Sequence, residues 1–295
     1  MKNKPLILSI IAIIVLGGIV FAATRNTNQP ETSTGPIQSH RSYSVKSDLA
    51  GKTYTSNIPN EYSFSIVDER GDTLKDFAIT HTKPMHVIVV RKDLAYFQHV
   101  HPDYSTTTGT FTLKDLTFPA DGEYRTFADF AAEGGQKDAM GMPLGITLSE
   151  DVKVGTTYSP KSIGTEEKAK TFEGYQVSLN THDQLISGQE SMLMFSLSQN
   201  GKPVTDLEEY LGALGHSVIL KEGTLDFIHA HPIEIQNQTG TVSFMVNFPE
   251  GGKYKAFTQF QKNGKVFTTD FVVTVTQGAD SMENTSMPGT DHSMH

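Results

Sequence analysis

The chain has 295 residues, no cysteine and a formal charge of −9 at pH 7. Without cysteine there is no disulfide and no thiolate metal site, so stability rests on a packed core and any metal must be held by the 11 histidines, the 10 methionines or carboxylates. An acidic chain of this kind is a poor partner for nucleic acid or for an anionic membrane surface.

Residues 6–23 form an uncharged apolar run of 18, preceded by Lys2 and Lys4. That is just long enough to span a bilayer, and the leading lysines place its start in the cytoplasm. Val20-Phe21-Ala22 offers small residues to a signal peptidase, so a cleaved signal peptide and a retained membrane anchor are both open, with the length of the run favouring the anchor. Either way the rest of the chain is exported, as a single-pass membrane protein or in secreted form. Residues 24–42 lack hydrophobic periodicity and are rich in turn formers, which predicts a flexible stalk.

The first domain is predicted over 43–155, with strands near 62–67, 85–90, 95–100, 110–118, 123–130 and 145–154 separated by Gly, Pro, Asp and Asn clusters. Short strands at this density predict an antiparallel β-sandwich of about seven strands. Residues 156–174 have the composition of a solvated linker. A second domain is predicted over 175–277, with strands near 175–180, 192–198, 217–221, 227–230, 241–248, 254–261 and 266–275. Leu207 to Gly215 is predicted as one helical turn before His216. The fold class is therefore all-β, two tandem immunoglobulin-like sandwiches after an N-terminal apolar segment.

The two domains are copies of each other. Met85 to Val90 followed by Phe97-Gln98-His99-Val100-His101-Pro102 returns, 130 residues later, as His216 to Leu220 followed by Phe227-Ile228-His229-Ala230-His231-Pro232. In both copies 13 positions separate the first histidine from the second, and the same offset pairs Gly71 with Gly201, Phe118-Pro119 with Phe248-Pro249, Tyr124 with Tyr254 and Phe127 with Phe257. Side chains two apart on a strand share a face. His99 and His101 therefore point the same way, as do His229 and His231, and an adjacent strand led by His86 or His216 completes a three-imidazole set. Neutral imidazole suits zinc, copper, nickel or iron. The same histidines could instead cap backbone carbonyls at a strand end, with the proline closing the ladder.

The expected ligands are His86, His99 and His101 in a first site, with Asp129 or Met85 as a fourth, and His216, His229 and His231 in a second. His81, Met85 and Asp129 belong to the first repeat alone, where the second has Leu211, Gly215 and Gln259. Met140-Gly141-Met142-Pro143 would bias a site towards Cu(I) if its loop folded over the histidines. Residues 278–295 form a polar tail predicted to be disordered, in which His292, Met294 and His295 add imidazole and thioether donors suited to copper. Binding should weaken below about pH 6 as free imidazole protonates.

The His-led strand, the His-x-His-Pro element and Phe-Pro-x-x-Gly-x-Tyr together resemble the tandem immunoglobulin-like domains of predicted bacterial secreted or membrane-anchored proteins associated with copper handling. The resemblance covers nearly all of 43–277 and implies an extracytoplasmic copper scavenger, buffer or chaperone, with zinc as the second metal. A membrane copper transporter or another metalloprotein would then be the exchange partner. Two other readings stand beside it. One is a non-catalytic surface interaction module with structural histidines. The other is a cupin-like oxygenase using His229, His231 and Glu234, but 118–130 and 248–260 lack the further histidine that cupins need. No enzyme is expected, since nucleophile motifs and phosphate loops are absent from the sequence.

Overall fold

The computed structural model describes residues 42–49, 52–137, 141–230, 232–233 and 240–279; the apolar leader, residues 24–41 and residues 280–295 lie outside the described residues. Among the described residues every regular element is a strand, and no helix among them is long and apolar enough to cross a membrane. Repeat 1 holds β1 (Tyr43–Ser47), β2 (Thr53–Tyr54), β3 (Asn60–Asp68), β4 (Phe77–Ala78), β5 (His86–Arg91), β6 (Phe97–Val100), β7 (Asp103–Ser105), β8 (Thr110–Leu116), β9 (Gly122–Ala132) and β10 (Ile146–Val154). Repeat 2 holds β11 (Ala169–Phe172), β12 (Tyr175–Thr181), β13 (Glu190–Gln199), β14 (Lys202–Pro203), β15 (His216–Lys221), β16 (Phe227–Ala230), β17 (Pro232–Ile233), β18 (Thr241–Asn247), β19 (Gly252–Lys262) and β20 (Lys265–Val275).

In repeat 1 the sheet β1-β3-β8-β7 faces the sheet β2-β10-β9-β5-β6, with β4 added to β9. The pairs are antiparallel except β2, which runs parallel to β10. In repeat 2 the sheet β11-β12-β13-β18-β17, with β14 added to β13, faces β16-β15-β19-β20. Each repeat thus has the two-sheet Greek-key order of an immunoglobulin-like sandwich. Each also carries the tyrosine corner of that fold: the Tyr124 hydroxyl donates to the Ala120 carbonyl at 2.7 Å, and Tyr254 to the Glu250 carbonyl at 2.8 Å.

Among the described residues three apolar clusters hold the fold together. Phe64, Phe111, Phe118, Tyr124 and Phe130 fill the core of repeat 1, and Phe195, Phe244, Phe248, Tyr254 and Phe260 that of repeat 2. The third cluster takes Ile88, Val90 and Phe127 from repeat 1 and Val218, Leu220 and Phe257 from repeat 2. It is a seam between the outer faces of β5-β6-β9 and β15-β16-β19. A sheet covered on both sides explains why β5 is buried at all six positions. Val87 and Val89 enter the repeat 1 core while Ile88 and Val90 enter the seam.

The seam obeys the 130-residue offset in a swapped sense, as a two-fold axis between the copies requires. Phe97 stacks on Phe257 at 4.4 Å between ring centres, and the exchanged pair, Phe127 and Phe227, lies at 5.0 Å. Arg125 donates to the Thr224 carbonyl and Lys255 to the Leu94 carbonyl, again an exchanged pair.

Two expectations are corrected. Leu207 to Gly215 does not make a helical turn; Tyr210 and Ala213 bridge across a tight turn, because Leu211 and Gly212 take positive φ (57° and 80°), incompatible with a right-handed helix. Thr80 and Lys83 close the matching turn in repeat 1 around His81 and Thr82, at φ 48° and 66°. The stretch 156–174 is not wholly solvated either: Ile163 is buried in the seam, and residues 169–172 form β11 against β12.

Candidate metal centre

Strand alternation that sends Ile88 and Val90 into the seam sends His86 there too, two residues earlier on β5. Register brings its neighbours alongside: His86 lies opposite Asp129 of β9 and Ile88 opposite His99 of β6. Repeat 2 repeats this, with His216 opposite Gln259 and Val218 opposite His229. The polar ends of the two sheets therefore meet at one end of the seam. Histidines of both repeats gather there in one cluster.

One nitrogen each from His86, His99 and His101 lies within 4.8 Å of the others. His86 Nδ1 is 3.1 Å from His99 Nε2 and 3.1 Å from His101 Nε2. The tautomers follow from the outer partners. His86 Nε2 is 3.0 Å from the Thr80 carbonyl, which can only accept, so the proton sits on Nε2 and the lone pair on Nδ1. His99 Nδ1 donates to Gln259 Oε1 at 2.7 Å, and Gln259 Nε2 donates to Thr268, which fixes the amide and leaves the lone pair on His99 Nε2. Two lone pairs thus face each other across a short gap. A cation between them removes that repulsion, and two nitrogens each about 2.0–2.1 Å from one ion at a tetrahedral angle stand roughly 3.3 Å apart. The donor set and spacing fit a transition metal.

Burial keeps these imidazoles neutral. It pulls His81 down to about 4 and His101 to about 3, in both cases assisted by neighbouring imidazoles. His216 falls to about 3, again chiefly through burial. His86 is lowered by burial against the opposing pull of its Thr80 bond, and His99 lies well below the ordinary range through burial and then His101. Burial would raise the Asp129 carboxyl, but the His229 bond and charge and the Thr147 hydroxyl outweigh it and hold it low.

The other predicted residues fall as follows. His229 and His216 join the cluster through His81, whose ring centre is 5.2 Å from His216, 5.5 Å from His229 and 5.8 Å from His86. Asp129 occupies both its oxygens on side chains, Oδ2 accepting from His229 Nδ1 at 2.7 Å and Oδ1 from Thr147 at 2.8 Å. That is the position of a group that orients a histidine. Met85 is buried in the repeat 1 core, on the far side of the sheet from the cluster, so it does not supply the fourth ligand. Met142 is 59% exposed. His231, Met140, Glu234, His292, Met294 and His295 lie outside the described residues.

Sequence reasoning missed Gln259 as the partner of His99 and the Thr80 carbonyl as that of His86. The signal for Gln259 was present: its counterpart at the 130 offset is Asp129, and in a two-fold arrangement the bond from His229 to Asp129 exchanges into one from His99 to Gln259.

Two immunoglobulin-like sandwiches packed face to face, with buried histidines from both at one end of the seam, define the class: a tandem-sandwich protein with a candidate metal centre. The chain belongs to the family described as Domain of unknown function (DUF8832), which matches residues 39–142 and again 169–277. No curated protein matches it. Among solved structures it is similar to InvD of Yersinia pseudotuberculosis (12% identity, TM-score 0.26, covering 84% of this chain and 60% of that one). It is also similar to a Salmonella alpha-2-macroglobulin reacted with methylamine (12%, 0.27, 78% and 14%) and to a titin Ig tandem (13%, 0.20, 80% and 100%). The chain thus spans less than two thirds of the first two, and these likenesses are of fold alone.

Proposed function

We propose that this protein binds a transition metal outside the cytoplasm, copper before zinc, as a scavenger, buffer or chaperone that exchanges its ion with a membrane transporter or another metalloprotein. The observation that carries the reading is the facing of two fixed lone pairs, His86 Nδ1 and His99 Nε2, with His101 Nε2 beside them. Three neutral imidazoles leave a coordination position open for water or a partner's donor. Copper is favoured over zinc by the thioether and imidazole donors of the tail, and the apolar leader after Lys2 and Lys4 supports export, tethered or cleaved.

Copper and zinc titration at neutral pH tests it. Stoichiometric uptake is expected, falling when His99→Ala is combined with His229→Ala; uptake unchanged in that double variant but lost from a version ending at Gly278 would assign binding to the tail. Gln259→Ala keeps every ligand and removes only the group that orients His99. It should weaken affinity by about 10–100-fold, as loss of a ligand's outer partner does. Equal affinity in competition with a chelator would show that His99 needs no partner.

A second reading has its own support. The bonds from His99 to Gln259 and from His229 to Asp129 tie the repeats together without any ion, as structural histidines of a surface interaction module would. Absence of stoichiometric uptake by the wild-type chain selects it.

A further inference from the structure

We propose that the seam holds a second metal site, built from His81 of repeat 1 with His216 and His229 of repeat 2, next to the His86, His99 and His101 site. The inference rests on the metal reading above and extends it from one ion to a pair.

Imidazoles that bind one ion at about 2.0–2.1 Å place their ring centres roughly 3.2 Å from it and, at tetrahedral angles, roughly 5.2 Å from each other. In the first site the centres are 5.3, 4.9 and 4.8 Å apart. In the second they are 5.2 Å for His81 and His216, 5.5 Å for His81 and His229, and 5.9 Å for His216 and His229. Closing that last gap by a few tenths of an ångström brings the ring centres to a comparable spacing. The two sets are adjacent, with His86 and His229 centred 6.0 Å apart.

Hydrogen bonding behind the His229 ring suits it to the same role. His229 Nδ1 donates to Asp129, whose other oxygen is held by Thr147. The proton on Nδ1 leaves the lone pair on Nε2, the carboxylate makes that nitrogen a stronger donor, and its negative charge offsets part of a bound cation's. His99 has a neutral amide in the exchanged position. Of the two related places, the one with a carboxylate backs the second site.

His81 is itself placed by a turn that does not require it. It occupies a tight turn at φ 48°, a conformation uncommon for a residue other than glycine. The matching turn carries Leu211 at φ 57°, so the turn itself does not demand histidine. What distinguishes position 81 is that its ring lies against two histidines of the other repeat. The site therefore exists only when the repeats are packed.

Loading the full chain with Cu(II) and recording its electron paramagnetic resonance tests this. Two cupric ions in adjacent sites couple and give a half-field signal, which isolated copper elsewhere on the chain does not. The signal is expected in the wild type and expected to vanish in His81→Leu, with one fewer equivalent of tightly held copper; leucine fits this turn, as Leu211 shows, and an unchanged unfolding midpoint of the apo variant confirms its fold. His101→Ala should abolish the coupling from the other side. No half-field signal in the wild type, with copper uptake still sensitive to His99→Ala, overturns the second site and leaves the first. Copper uptake indifferent to both His81→Leu and His99→Ala overturns both readings.

Discussion

Phe257→Ala is expected to lower the free energy of unfolding by about 3–5 kcal/mol, the usual cost of emptying a buried aromatic position, and to weaken copper binding as well. Phe257 is 4% exposed and stacks on Phe97 with an interplanar angle of 9°. It sits in the seam and not in either sandwich core. Its loss opens a cavity between the repeats, and two residues further along the same face of β19 is Gln259, which holds His99. Phe195→Ala is the control: Phe195 is fully buried in the repeat 2 core, so a similar stability loss is expected with metal affinity kept. Denaturant unfolding and copper competition on both variants check this. The seam reading further expects the Phe257→Ala transition to broaden or divide, because what couples the two sandwiches has been weakened. A loss below about 1 kcal/mol in a single sharp transition would show that the seam contributes little.

Most of the architecture was legible. The stretches 227–230 and 241–248 coincide with β16 and β18 to within a residue, because Gly, Pro and Asp clusters bound apolar runs of strand length there. Histidine spacing was legible too: period two put His99 and His101 on one face, and the structure brings both to His86. The pairing of the two domains was not. Periodicity tells which side of a strand is apolar, not what that side meets. Val87 to Val90 and Val218 to Leu220 are apolar at both parities, which is the mark of sheets covered twice, yet a continuous apolar run is equally what any central strand shows. Without the seam, His216 and His229 had no reason to meet His81. The bond from His229 to the carboxylate at 129 was likewise not legible, because only three-dimensional proximity shows His229, 100 positions away, engaging its oxygen.

The same burial that brings the histidines together sets the pH dependence, and it moves the expectation drawn from free imidazole. Unfolded histidine titrates near 6.5, whereas in the folded chain His81 titrates at about 4 and His101 and His216 at about 3, with His86 and His99 also lowered. Between pH 6.5 and those folded values the unfolded chain binds more protons than the native one, so stability climbs with pH across this window and levels off above it. At pH 4.5 the metal-free protein should have lost several kcal/mol relative to pH 7, on the order of 2 kcal/mol for each of His101 and His216 after allowance for partial exposure. Asp129 adds to the loss only below about pH 4, where its unfolded counterpart is protonated and the native carboxylate is not. Denaturant titrations of the apo protein at pH 7, 5.5 and 4.5 read this directly; a flat profile would mean that the imidazoles reach solvent in the native state. Metal retention follows the folded values, since protons compete for a nitrogen only near its own pKa. Copper should therefore stay bound well below pH 6 and leave at about pH 4 and below, where acid has also loosened the seam, so that release and opening of the two repeats coincide.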